Sequence, residues 1–132
     1  GFGLIGHLSE MISATNYRLM NSTLPPLQIK LDAASIPALQ GSLNLFKAGY
    51  SSTLAPANRR YLKLLKAIGN VPPPLDLVLG DIPAGSEYHQ TILELIVDPQ
   101  TCGPLLVACS SRIADQLALS NNWSRIGTVD AL

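Results

Sequence analysis

The chain has few of the residues that mark several common protein classes. Its 132 residues include two histidines and two cysteines, Cys102 and Cys109. Two cysteines this close in sequence are too few for a disulfide-stapled fold, and without a CxxC pair a structural zinc site is not expected. Only 14% of the residues are charged, and nine basic residues balance nine acidic ones. A basic surface of the kind that binds nucleic acid is therefore not predicted.

Long hydrophobic runs are also missing, although the composition is 47% hydrophobic. No run approaches the ~20 apolar residues that span a bilayer, so no association with a membrane is predicted. The chain begins at Gly1 without a segment typical of a secretory signal, which favours a cytoplasmic protein. An apolar composition with so little charge predicts that something else normally covers part of the surface of this domain.

The length predicts one domain over residues 1–132, and the hydrophobic periodicity predicts that it is of the α/β or α+β class. Apolar residues at helical spacing predict five helices, over residues 4–14, 41–48, 59–68, 86–96 and 110–119. Alternating or continuous apolar runs predict four strands, over residues 27–31, 75–79, 105–109 and 125–129. Residues 51–58 are predicted to form a polar loop. Because helices and strands interleave without a strict βαβ repeat, we expect a layered α/β/α arrangement.

The opening residues Gly1, Phe2 and Gly3 run directly into the first predicted helix. Glycine backbone with unpaired N–H groups at the start of a helix suits an anion such as a phosphate. The alternative is a tight turn that lets a preceding segment pack closely, and a single GxG pattern leaves both open. A helix this close to the first residue also predicts that the chain is part of a longer protein.

The stretch LIVDPQTCGPLLVA (residues 95–108) places a polar loop between two apolar runs. Asp98 precedes a proline, and its carboxylate can accept N–H bonds from the turn that follows. Gln100 and Thr101 either satisfy the backbone of this loop or line a binding site. Cys102 has no Lys or Arg close in sequence, so an unreactive thiol is expected.

Asn58 follows a loop that is rich in serine and threonine, a position suited to a phosphate ligand or to a helix cap. His7 and His89 lie on predicted helices, where a single histidine is more often a packing residue than a base or a ligand. The order of residues alone reveals no nucleophile–histidine–acid arrangement.

Taken together, these motifs resemble the carboxy-terminal half of selenophosphate synthetase (selenide, water dikinase). Residues 1–11, GFGLIGHLSEM, look like the family segment TDVTGFGLLGHLxEM without its first four residues. Residues 98–106, DPQTCGPLL, are similar to the family's DPQTSGGLL. Shorter matches occur in family order: IPAL at 36–39, Asn58 after its loop, and RIGTV at 125–129, which resembles AIIGEV.

The resemblance implies the ATP-binding superfamily of aminoimidazole ribonucleotide synthetase, thiamine-monophosphate kinase and a hydrogenase-maturation protein. In these proteins an amino-terminal domain dimerises and supplies most ATP and metal ligands, and a carboxy-terminal domain with a mixed sheet and flanking helices closes over the site. The implied reaction converts selenide, ATP and water into selenophosphate, AMP and phosphate, with Mg²⁺. This chain would be the carboxy-terminal domain alone, inactive by itself and without a tightly bound cofactor.

The resemblance also implies which residues line the site. The nucleophile, its lysine and the metal-binding aspartate of the family belong to the preceding half, so no catalytic or metal-binding residue is expected in this chain. Five residues are expected to line the ATP cleft: Gly1, Gly3, Asn58, Gln100 and Thr101. The implied partners are the protein's own amino-terminal domain, a second copy in a homodimer, and selenide as substrate.

Two departures from the family pattern keep alternatives open. Cys102 replaces the family serine, and Pro104 replaces its second glycine and so removes a backbone N–H. If that N–H bonds a phosphate in the relatives, its loss costs about 1.5–3 kcal/mol. The alternatives are a superfamily member with another phosphoryl acceptor and a degenerate, non-catalytic binding module.

Overall fold

The computed structural model of the chain describes residues 1–99, 103 and 105–132. Its centre is a sheet of three strands: β1 (Leu27–Asp32), β2 (Leu75–Val78) and β3 (Gly127–Ala131). The strand order is β2-β1-β3, with β2 parallel and β3 antiparallel to β1. The expected α+β class with a mixed sheet is confirmed at this level.

The two faces of the sheet differ in burial. Ile29 and Leu31 of β1 are buried with Leu75 of β2 in the core that the helices cover. On the opposite face, Lys30 forms an ion pair with Asp130 (Nζ to Oδ2 3.1 Å), and both side chains are half exposed. Among the described residues, therefore, the core covers one face of the sheet, and the second helical layer of the expected α/β/α arrangement is not seen.

The first helix, α1 (Gly3–Leu19), packs on β1. It buries three aliphatic side chains at helical spacing: Ile5, Leu8 and Ile12. It is longer than the predicted 4–14 because Asn16 ties its last turns to β1. The Asn16 amide donates to Leu27 O (3.0 Å) and accepts from Leu27 N (2.8 Å). Neither α1 nor another helix in the described residues has the length and apolarity to cross a membrane.

The helices predicted over 41–48 and 86–96 are both confirmed. The first is α2 (Ser42–Lys47), and the second is α4 (Glu87–Val97), which contacts both α1 and α2. Ser86 Oγ accepts a hydrogen bond from the backbone N–H of His89 (3.1 Å), which caps the first turn of α4.

The middle of the chain differs from its prediction in two ways. The predicted polar loop ends in a short helix, α3 (Ala55–Asn58), because Pro56 lies in its first turn, where a missing N–H needs no partner. The helix predicted over 59–68 is a 3-10 helix (Arg59–Leu65), and it ends at Lys66, whose backbone is extended.

The strand predicted over residues 105–109 is wrong. These residues have no regular structure, and Leu105 and Val107 are 81% and 49% exposed. An apolar run shows that a segment is hydrophobic, but it does not show that a partner strand is available. Both edges of the central strand β1 are already paired, with β2 and β3. The helix α5 (Ser111–Ala118) then follows close to its predicted position, with no buried residue.

The last strand, β3, begins at Gly127 and not at Arg125 as predicted. A Cβ at Gly127 would collide with the carbonyl oxygen of Lys30. Because Gly127 has no side chain, β3 can approach β1 closely at this residue, and β3 begins there.

Candidate functional site

The glycine segment (residues 1–3) lies against the end of α4. Gly3 is buried and has a left-handed backbone (φ 67°). A Cβ on Gly3 would lie 2.8 Å from Ile96 O and 2.9 Å from the carbonyl carbon of Val97, so a larger residue would displace one of the two helices. The glycine segment therefore packs closely against α4, a later segment of the chain, and its interpretation as an anion site stays a prediction. Among the described residues, no side chain caps the N-terminus of α1.

Asn58, the last residue of α3, joins the two segments that the sequence singles out. It is 4% exposed, and its Nδ2 donates to Gly1 O (3.1 Å) and to Val97 O (2.9 Å). Val97 directly precedes the 98–104 loop. Three predicted site residues, Gly1, Gly3 and Asn58, therefore lie together where that loop begins.

The other two predicted site residues, Gln100 and Thr101, lie outside the described residues. The same is true of Cys102 and Pro104, the two departures from the family pattern. Their roles stay predictions from the sequence.

Phe2 of the glycine segment belongs to an aromatic cluster that was not predicted from the sequence. The Phe2 ring makes edge-to-face contacts with His7 (centroids 6.1 Å apart) and Tyr61 (6.4 Å). The Arg60 guanidinium lies 4.8 Å from the centroid of the Tyr61 ring and donates to its hydroxyl (2.9 Å). Gly6 makes room for Phe2, because a Cβ there would collide with the Phe2 side chain. The third glycine of the GFGxxG pattern, Gly6, was the available signal for this packing.

Charged groups surround the entrance to the 98–104 loop. Arg59 forms a forked pair with Glu94 of α4, with Nη2 2.8 and 2.7 Å from the two carboxylate oxygens. Burial raises the pKa of the Asp98 carboxyl above its ordinary value, and the negative charge of Glu94 raises it further. A cation brought close to Asp98 would favour its ionised form and lower this pKa.

The part of the chain that the structure describes contains no group of three or more His, Cys, Asp or Glu side chains placed to hold a metal ion. A groove of about 550 Å³ lies at the far end of α1, and its lining includes Tyr17, Met20 and Leu24. The described site residues, Gly1, Gly3 and Asn58, do not line this groove. The candidate site is thus a largely buried junction of backbone segments, with only Gly1 exposed among Gly1, Gly3 and Asn58.

Comparison with curated proteins finds selenide, water dikinases. The chain is 28% identical over 117 residues to that of Caldanaerobacter subterraneus subsp. tengcongensis, and 23% identical over 118 residues to that of Clostridioides difficile; each match covers 89% of this chain and 26% of the relative. It is 28% identical over 116 residues to that of Clostridium botulinum, which covers 88% of this chain and 26% of the relative. The chain thus spans about a quarter of the length of the curated relatives it matches.

No family model and no solved structure matches the chain. All three relatives are selenide, water dikinases, and each match covers 88% or 89% of this chain. The resemblance inferred from those motifs is therefore confirmed: over nearly nine tenths of its length this chain is similar to selenide, water dikinases.

Proposed function

We propose that this chain acts as the carboxy-terminal domain of a selenophosphate synthetase, which makes selenophosphate from selenide, ATP and water and releases AMP and phosphate. One observation carries the proposal. The first matched segment, residues 1–11, contacts the residue that directly precedes the second, residues 98–106, through Gly3 and Val97. The first segment thus lies against the start of the second, far away in sequence, and both resemble motifs of the family.

In this proposal the chain binds and orients the phosphates of ATP and supplies no covalent chemistry. The backbone N–H groups at the start of α1, where none of the described side chains forms a cap, carry partial positive charge, which favours an anion in front of the helix. Phosphoryl transfer depends mainly on positioned donors and metal ions. By the resemblance to the family, Mg²⁺ and the nucleophile belong to the amino-terminal half of the enzyme, and this chain would orient the phosphates beside them.

The exposed apolar residues support a partner that covers this domain. Among the described residues, six of them lie in the last thirty positions of the chain: Leu105, Val107, Ile113, Leu119, Val129 and Leu132. In the proposed enzyme the partner is the protein's own amino-terminal domain, within a homodimer of the superfamily fold. Closure of the two domains would place the junction of Gly1, Gly3 and Asn58 at the ATP cleft.

The test is selenide-dependent ATP turnover by the full-length protein that contains this chain, with phosphorus NMR to identify the products. We expect selenophosphate, AMP and phosphate from the full-length protein and no turnover from the 132-residue chain assayed beside it. ATP hydrolysis that does not depend on selenide would contradict the proposal and indicate another phosphoryl acceptor.

The replacement of a family glycine by Pro104 favours one second candidate, a non-catalytic binding module. A folded full-length protein without any turnover would support that module. If turnover is present, Pro104→Gly distinguishes two cases. A rise of about 10- to 100-fold would mean that the proline removes a phosphate donor, and an unchanged rate would mean that this N–H has no part in binding.

A further inference from the structure

The side chain of Asn58 has no hydrogen left with which to bind a nucleotide. A side-chain amide carries two N–H hydrogens, and Nδ2 of Asn58 donates to two carbonyl oxygens, those of Gly1 and Val97. The residue is 4% exposed, so water cannot easily replace either acceptor. Both donors are therefore used inside the protein.

The two acceptors belong to the two segments on which the proposed function rests. Gly1 opens the glycine segment, and Val97 is the last residue of α4 before the 98–104 loop. Gly3 contributes to the same junction, because it packs so closely on the backbone of Ile96 and Val97 that a Cβ would not fit between them. Asn58 reaches this junction from α3, a third element, so its side chain sets how far apart the two segments lie.

We infer that Asn58 is a positioning residue of the proposed reaction: it holds the glycine segment and the start of the 98–104 loop at the spacing that bound phosphates require, and it does not itself touch substrate. This inference rests on the proposed function and replaces the expectation that Asn58 is a ligand of ATP. Misplacement of reacting groups by about 1 Å is known to cost on the order of 100-fold in rate, so a residue that fixes such a spacing has a measurable effect on turnover.

A purely structural role has to be separated from this one, because the last carbonyl groups of a helix need partners in any protein. The chain offers a matched control. Asn16 also bonds backbone with its side-chain amide, to Leu27 O (3.0 Å) and Leu27 N (2.8 Å), but at the opposite end of α1. Substitution of Asn16 removes two hydrogen bonds to backbone without touching the junction at Gly1 and Val97.

The experiment compares Asn58→Ser with Asn16→Ser in the full-length protein, measuring kcat, the KM for ATP and the midpoint of thermal unfolding. We expect both substitutions to lower the unfolding midpoint. Asn58→Ser should lower kcat about 10- to 100-fold with the KM for ATP within about threefold of the wild type, and Asn16→Ser should leave kcat within about twofold.

Two results would overturn the inference while the wild-type enzyme makes selenophosphate. Equal kcat values in the two variants would reduce Asn58 to a helix cap, and a raised KM with unchanged kcat would make it a ligand. A wild-type protein that makes no selenophosphate would instead reject the proposed function and the inference with it. If Asn58→Ser does not fold, Asn58→Gln serves in its place, since it keeps both donors and changes only their reach; the same fall in kcat is expected, and a wild-type kcat would overturn the inference.

Discussion

The absence of a side chain at Gly3 lets the glycine segment approach the end of α4 closely. A comparison of Gly3 with Gly49 separates two costs of adding a side chain: the strain of a left-handed backbone and the steric overlap with neighbouring atoms. Gly3 and Gly49 both have left-handed backbones (φ 67° and 87°), but only Gly3 has neighbours within 3 Å of where a Cβ would lie. We expect Gly3→Ala to lower the free energy of unfolding by about 2–4 kcal/mol, as the sum of strain and overpacking. Gly49→Ala should cost only the strain, about 1–2 kcal/mol. Urea unfolding of both variants measures the difference, and equal losses would mean that the end of α4 moves away freely.

Asp98 gives a residue-level prediction about pH. Burial first, and the charge of Glu94 second, raise the pKa of its carboxyl above 3.8 in the folded chain. The folded state then binds the proton more tightly than the unfolded state does. The stability that this group contributes is therefore fully present below pH 3.8 and is lost as the pH rises through the folded pKa.

Substitution of Glu94 separates the two causes. In Glu94→Gln the Asp98 pKa should fall but stay above 3.8, because burial remains. An NMR titration of the Asp98 carboxyl carbon measures this shift, and Glu10→Gln on α1 is the control that should leave it unchanged. A wild-type Asp98 that titrates at or below 3.8 would contradict the prediction.

At the scale of elements, one ion pair joins the 3-10 helix to α4 and another joins α2 to α4, and we expect the two to differ in strength. The forked pair of Arg59 with Glu94 is partly buried, whereas the pair of Lys47 with Glu87 is a single contact of 2.8 Å with more exposed side chains. We expect a coupling free energy of about 1 kcal/mol for the first and below about 0.5 kcal/mol for the second. Double-mutant cycles by urea unfolding measure both, and 1 M salt should weaken the second pair in greater proportion. A stronger coupling for Lys47 and Glu87 would contradict the prediction.

Elements whose signal is local could be predicted from the sequence. The strand over residues 27–31 has an alternating pattern, and α4 has both a cap at Ser86 and a helical apolar face. The run over residues 105–109 carries no such local signal, since apolar residues do not say whether a partner strand is available. The choice of a 3-10 helix at Arg59–Leu65 also depends on packing against α1 and β2, which no local pattern contains.

The candidate site could be predicted only as separate pieces. The sequence picked out Gly1, Gly3 and Asn58, but nothing local indicates that Gly3 packs on Val97 or that Asn58 bonds both segments. Whether an asparagine is a cap, a ligand or a link depends on which carbonyl groups the fold brings to it. That information exists only in the tertiary structure.

Over the whole molecule, burial is distributed unevenly along the chain. The described residues from 103 to 132 include no buried residue, and α5 is only eight residues long. Isolated helices of that length are marginal in water, so α5 should open with a free energy below about 2 kcal/mol. Native-state hydrogen exchange should therefore show early exchange in α5 and late exchange in α4, which buries four residues.

The same measurement on the full-length protein tests whether this surface is covered. If the amino-terminal domain packs on Leu105, Val107 and their neighbours as proposed, exchange in α5 should slow markedly in the longer protein. Equal protection of α4 and α5 in the chain alone would contradict the first prediction, and unchanged exchange in the longer protein would argue against the proposed interface.

The strand order has a consequence for synthesis of the chain. The central strand, β1, is made first, and β3, which closes one of its edges, is made long after it. While the ribosome produces the intervening residues, that edge of β1 presents unpaired N–H and C=O groups beside apolar side chains. A nascent chain must therefore keep an incomplete sheet from pairing with its neighbours until Gly127–Ala131 has emerged, and a chaperone that shields β1 would act in this interval.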